Sequence, residues 1–262
     1  AEILGKRVER VEEEVSPELV RAVVAMRSVK SDAEIAEIEE ALSITAEAYA
    51  AVMAAAAPGR TEGEMVSVLT APAIARSRQQ SFQPIVSVRG EVLHNETYGN
   101  TLGGGDLLLV DSGAESRGFY ASDITRTIPV SGRFSDQQRT IYEIVLAAQM
   151  ASIEAAAPGV TNRRVHMVAA RTVAEGLVEA GLMRGSVDDA VAAGAHALFF
   201  PHGIGHMLGL DVHDMEDLGD IVGYEPGEER SSQFGLGFLR LARALEPGFV
   251  ITIEPGIYFI PA

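Results

Sequence analysis

A nine-residue phrase occurs twice, one hundred residues apart: "MAAAAPGRT" at 53–61 and "IEAAAPGVT" at 153–161. Each copy closes an Ala-rich stretch with Ala-Ala-Ala-Pro-Gly-x-Thr, and a second helical pattern follows each. Proline cannot continue a helix and glycine takes left-handed backbone, so the phrase marks a helix end. Two readings are open: a pair of unrelated helix ends of common composition, or an internal duplication. The second constrains the fold far more. Duplicated α+β halves would meet about a pseudo-twofold axis, with a cleft and a plausible site along it.

Local signals fill in both halves. Ser16-Pro17-Glu18 predicts a helix start, with Ser as N-cap and Pro in the first turn. Ser31 with Glu34 forms a capping-box pattern that opens a long helix ending near Pro58-Gly59. Thr61 with Glu64, and Ser135 with Gln138, repeat the device, the latter ahead of Ile141, Ile144, Val145 and Leu146 on a helical period. Strand-like runs lie between: 84–88, 106–111, 118–130 and 249–254. In the third, Phe119, Ala121, Asp123, Thr125 and Thr127 alternate onto one face, and "DSGAESRG" (111–118) has hairpin-turn composition. Short strands among long helices, without regular βαβ alternation, predict an α+β fold.

Composition narrows the function. The 262 residues suffice for one large domain or two small ones, and 47% hydrophobic content supports a substantial core. No apolar run approaches the ~18 residues of a transmembrane helix, and "AEILGKRVER" does not read as a secretory leader. A cytoplasmic location is expected. A net charge of −16 argues against a nucleic-acid partner. Cysteine is absent, so metal ligands must come from His, Asp and Glu, a donor set that favours Mn, Zn, Co or Fe.

Carboxylates stand where they are costly. Asp111 ends the apolar run "LLLVD", and Asp123 interrupts the inward face of its strand. Each alone could cap a turn or sit at a sheet edge. A hairpin would bring them together, and two adjacent carboxylates raise each other's pKa unless a dication neutralises both. Glu254 ends "FVITIE" before a Pro-Gly break, and alone reads equally as solvated or functional. "HGIGHMLGLDVHD" (202–214) then places three histidines in thirteen positions. Gly203 and Gly205 disfavour a helix, so the His202/His206 spacing is not a helical zinc motif. Extended backbone with glycines that admit a ligand closely is the alternative.

Taken in order, "LLLVDSGAE", "ASDITRT", "PHGIGHMLGLDVHD" and "LEPGFVITIEPGIYF" resemble the pita-bread metallopeptidases, nearest the prolidase (Xaa-Pro dipeptidase) and aminopeptidase P group. The likeness spans roughly 30–262. It implies duplicated α+β halves around a curved antiparallel sheet and a dinuclear centre, usually manganese, with zinc or cobalt as substitutes. The ligands it implies are Asp111, a bridging Asp123, His206 and Glu254. Thr125, two positions from Asp123, is placed to support that centre from behind. Substrate contacts carried over are His94, His202, His213 and Arg240, with Asn95 standing where the family has an aromatic residue. The family's fifth ligand, a Glu in an Arg-Ile-Glu-like strand after "EPG", has no counterpart, since no acidic residue follows Glu254. On this reading the catalytic domain, 31–262, is truncated and inactive by itself, and 1–30 is a linker from a preceding domain.

The resemblance implies hydrolysis of the Xaa-Pro amide bond by a water between two dications about 3.5 Å apart. Glu254 would relay the proton, and His213 or His202 would steady the oxyanion. Arg240, suited to gripping a free carboxylate, favours dipeptides and hence prolidase. Aminopeptidase P action on longer peptides is the alternative, as is an inactive peptide-binding module of the same fold. Creatinase-like hydrolysis needs no metal and fits four retained ligand positions poorly, and methionine aminopeptidase fits the Arg240 context less well. A homodimer is expected from the family.

Overall fold

The computed structural model describes residues 15–95 and 97–261; the first fourteen residues of the expected linker lie outside them. The elements run α1 (Pro17–Ser28), α2 (Asp32–Ala55), α3 (Glu62–Ala75), β1 (Ile85–Ser87), β2 (Leu107–Ser112), β3 (Ile124–Pro129), α4 (Asp136–Ala155), α5 (Asn162–Glu179) and α6 (Val187–Ala192). Short 3-10 turns and an extended tail follow. Every predicted helix start is realised. Ser16 caps α1, and reciprocal capping boxes open α2, α3 and α4 from Ser31, Thr61 and Ser135.

The repeated phrase folds the same way twice. Helices α2 and α4 end at Ala55 and Ala155, and the Thr of each phrase caps the next helix. The backbone then forms matching bonds. Gly59 and Leu102 carry the pair Gly59 N to Leu102 O and Leu102 N to Arg60 O. In the second copy Gly159 N donates to Leu245 O and Leu245 N to Val160 O. Similar helix ends alone would not dock onto equivalent partners, so the duplication is structural. Each half also has its own core. Tyr49, Val52, Met65 and Leu69 pack on Val86, Leu108 and Val110 in the first. Val165, Ala169, Val173 and Leu177 of α5 pack on Phe200, Ile204 and Leu239 in the second.

Two expectations need correction. In α4, Leu146 does not join the buried face but is 43% exposed. Residues 249–254 are extended but form no regular strand. They pair with 204–208 through Leu208 N to Val250 O, Thr252 N to His206 O and Glu254 N to Ile204 O, with one recognised bridge, Met207 to Ile251. A short two-stranded ribbon is marginal by itself, so it stays irregular. The regular sheet is β1-β2-β3, antiparallel throughout. No helix among the described residues is long and apolar enough to cross a membrane.

The second core encloses two histidines. His166 and His196 are fully buried, 6.2 Å apart edge to face, and none of their ring nitrogens has a hydrogen-bond partner. Burial, aided by His196 and His202, pushes His166 down to about 3, and burial lowers His196 as well. The unfolded chain takes up protons near the ordinary value while the native state refuses them. Stability is therefore complete above about pH 6.5 and falls as the pH drops towards 3. In His166→Leu, urea titrations across pH 6 to 4 are expected to show a slope shallower by about 1.4 kcal/mol per pH unit; an unchanged slope would contradict this.

Candidate metal centre

One wall is the β2–β3 hairpin. The register pairs Asp111 with Thr125 and Ser112 with Ile124. The same register runs on through Ser122 N to Ala114 O and the Glu115–Ala121 bridge. Asp123 thus sits diagonal to Asp111 on one face, as the hairpin expectation required. The turn is farther out than 111–118, at 116–120, and the regular strand begins at Ile124 rather than 118. Phe119 is left-handed (φ 66°) and 64% exposed, so it leaves the alternating face. Helix α2 imposes this: Glu37 accepts from Gly118 N at 2.8 Å, and Tyr120 Oη donates to Glu34 at 2.8 Å. Gly113 is required, because a Cβ there would lie 1.6 Å from Ser122 O.

The same helix clamps the hairpin from below. Tyr49 Oη donates to Val110 O at 3.0 Å and also to Ile124 O, while Thr45 Oγ1 lies 2.7 Å from Ser122 Oγ. Both clamping residues are one helical turn apart on a single face.

The opposite wall is the 204–208/250–254 ribbon. Gly205 has φ 154°, and a Cβ would stand 2.3 Å from Thr252 O. Gly203 is filled in the same way by Phe238 and Leu239. The space expected to admit a ligand is therefore taken by protein backbone. His206 Nδ1 donates to Met207 O at 2.9 Å, which fixes the ring and aims Nε2 into the cleft. Thr252 Oγ1 accepts from His206 N at 3.0 Å and donates to Glu254 Oε1 at 2.6 Å.

His206 Nε2 lies 3.3 Å from both Asp123 Oδ2 and Glu254 Oε1. One donor atom from each of the three falls within 4.8 Å of the others. Asp111 is outside that set but couples electrostatically to Asp123 and Glu254. Burial first, then Asp123, raises the Asp111 carboxyl to about 8, against a hydrogen bond from Thr125 that lowers it. Burial alone would lower His206, but its bonds to Asp123 and Glu254 outweigh this and push it up to about 10. Burial raises Glu254 and the His206 contacts lower it, with a net fall. The centre therefore draws positive charge inward.

The residues fit a divalent cation. Asp111 Oδ1 is buried with no hydrogen-bond partner, an expensive state for a carboxylate that a cation would relieve. Three carboxylates with one imidazole suit manganese, zinc or cobalt.

The remaining predicted residues surround this centre. The His213 ring is 4.3 Å from that of His206, with Nδ1 3.4 Å from Arg240 Nη1. Burial and the nearby His206 lower its pKa. His202 donates from Nδ1 to Gly203 O at 2.8 Å and accepts from Tyr258 Oη at 3.1 Å, and burial keeps it neutral. His94 is exposed on its loop and lies near enough to lower His202 further. Arg240 is half exposed and ion-paired to Glu216.

Local sequence signals single out none of Thr252, Tyr258, Glu216 and Lys30, the last of which forms a buried pair with Asp214, 2.9 Å apart. Thr252 was visible in principle, since it shares Glu254's strand face two positions away. Lys30 and Asp214 are 184 residues apart, and nothing local links them.

A site of His and carboxylates shared between duplicated α+β halves has the donor set of a divalent-metal centre. Residues 36–262 match the family model for metallopeptidase family M24, and the chain belongs to that family. It is 38% identical to the Uncinocarpus reesii protein named "Probable Xaa-Pro aminopeptidase PEPP", over 97% of this chain and 55% of that one. It is 40% identical to Homo sapiens Xaa-Pro dipeptidase, over 91% of this chain and 48% of the relative. A variant of Escherichia coli aminopeptidase P solved with substrate superposes with a TM-score of 0.81 at 36% identity, covering 92% of this chain and 51% of that one. The chain thus spans about half the length of the curated relatives it matches. The pita-bread fold is that of these neighbours, and family membership implies divalent metal.

Proposed function

We propose that this chain forms the metal-binding part of a hydrolase of the Xaa-Pro amide bond, acting most readily on dipeptides. The convergence of Asp123, His206 and Glu254 within 4.8 Å, beside the unpartnered Asp111 oxygen, carries the reading. Asp111, Asp123, His206 and Glu254 would hold two ions, manganese by preference, with zinc or cobalt as substitutes. Residues 31–262 would form the catalytic domain, reached from 1–30 as a linker. A cytoplasmic homodimer acting on small peptides, with no nucleic acid partner, suits the family and the acidity.

Bound dications supply an acidified water and a polarised carbonyl. The chain's own residues do the rest. Glu254, oriented by Thr252, takes the water's proton and delivers it to the departing prolyl nitrogen. His213, half exposed beside His206, donates to the oxygen on which charge develops. His202, neutral and braced by Tyr258, and His94 line the peptide's path. Arg240 receives the C-terminal carboxylate.

A second reading, removal of the residue before proline from longer peptides, is favoured by one observation: Arg240 is already paired with Glu216.

That hydrolase, loaded with manganese and complete with the fifth ligand, is expected to cleave Ala-Pro, to spare Ala-Ala, and to lose turnover when a chelator is added. Arg240→Ala is expected to raise KM for Ala-Pro by about tenfold, a charge-assisted hydrogen bond's worth. No bound metal after reconstitution would instead favour a peptide-binding module.

A further inference from the structure

Arg240 already holds a carboxylate. Its Nη1 is ion-paired with Glu216 Oε2, which also stands 3.5 Å from His213 Nδ1. The Glu216 side chain is only 17% exposed, against 49% for Arg240. Its other oxygen, Oε1, is buried with no hydrogen-bond partner. Both residues line a cavity of about 300 Å³ that reaches His206, Asp214 and Arg230. Among the described residues, Glu216 is the only ion-pair partner Arg240 has.

A carboxylate with one oxygen already unsatisfied gains nothing by giving up its cation. Glu216 therefore stays on Arg240, and an incoming carboxylate must share the guanidinium with it. Two carboxylates on one fork repel each other. A peptide that continues past proline presents a neutral carbonyl there instead. That oxygen accepts from the free guanidinium N–H groups without repulsion.

We propose that Glu216 is a specificity-determining residue: a built-in carboxylate on Arg240 that weakens the grip on a dipeptide's free C-terminus relative to a peptide extended past proline. This rests on the proposed Xaa-Pro hydrolysis: Arg240 supplies the preference for dipeptides, and Glu216 limits how far that preference extends over longer peptides.

Steady-state kinetics of the manganese-loaded hydrolase, complete with the fifth ligand, on Ala-Pro and on C-amidated Ala-Pro test it. Glu216→Gln keeps the shape and a hydrogen bond to Arg240 but removes the charge. Its KM for Ala-Pro is expected to fall about fivefold, the scale of a partly screened charge contact. KM for the amide should move less than about twofold, since it carries no charge to repel. Glu216→Asp, which keeps the charge and shortens the reach, should lie between the two, so a fold defect in one variant cannot decide the outcome. Adding Arg240→Ala to Glu216→Gln should erase the gain. Equal shifts for both substrates, or none for Ala-Pro, would overturn the assignment while hydrolysis itself stood. No turnover of either substrate by the wild-type enzyme would sink the functional reading and this inference with it.

Discussion

Asp123→Asn is expected to abolish stoichiometric metal binding and to lower kcat/KM by far more than about 100-fold. That figure is the ceiling for a residue that only orients a ligand from behind, and Asp123 Oδ2 lies 3.3 Å from His206 Nε2 within the donor set. In the metal-free protein the same substitution removes one of the two carboxylates that hold the His206 imidazole charged, so the His206 pKa should fall below the value of about 10 it has in the wild type. Metal analysis, kinetics and an NMR titration of His206 would read the one variant. Full metal occupancy in Asp123→Asn would refute the assignment. Thr125→Val tests the layer behind. It removes the hydroxyl that faces Asp111 across the hairpin and should weaken metal affinity by about 10- to 100-fold.

Asp214→Ala should cost about 3–5 kcal/mol, the penalty for leaving a buried charge without its partner. Lys30 is 5% exposed and Asp214 1%, with Nζ to Oδ2 at 2.9 Å, and Arg27 binds the other oxygen. This network ties the end of α1 to the residue after His213, so the loss should also loosen the His213 wall of the site. Lys30→Met in the Asp214→Ala background should recover part of the loss, because an apolar side chain no longer requires a counter-ion. Urea midpoints of the two single variants and the double complete the comparison. A cost below about 1 kcal/mol for Asp214→Ala, the range of an exposed pair, would mean that the network is not desolvated.

Residues 202–216 show how differently neighbouring side chains can be legible. His206 was marked out by density of chemistry and by resemblance, and the cleft receives it. Asp214, eight residues on, carries no local sign of its role, because its partners Arg27 and Lys30 lie near the start of the chain. Glu216 carries no local sign either, yet it holds Arg240. Periodicity and capping report on neighbours within a few residues. They carry no information about which distant charge will share a buried pocket.

The hairpin shows the same limit at closer range. Alternation correctly placed Asp123 and Thr125 on one face, but it carried Phe119 onto that face too. The turn is instead drawn outward by Glu34 and Glu37 of α2, more than 80 residues earlier.

What the sequence determined by itself is local and repetitive. Ser or Thr, with Glu or Gln three residues on in three cases, starts the helices because it satisfies backbone groups within one turn. The Ala-Pro-Gly-x-Thr phrase ends two helices alike because proline and glycine act on their own backbone. Tertiary structure alone decided where the two copies dock, which carboxylates share the His206 cleft, and which acid occupies Arg240. Those outcomes depend on desolvation and on charges brought together across the fold, and both energies exist only once the two halves have closed on each other.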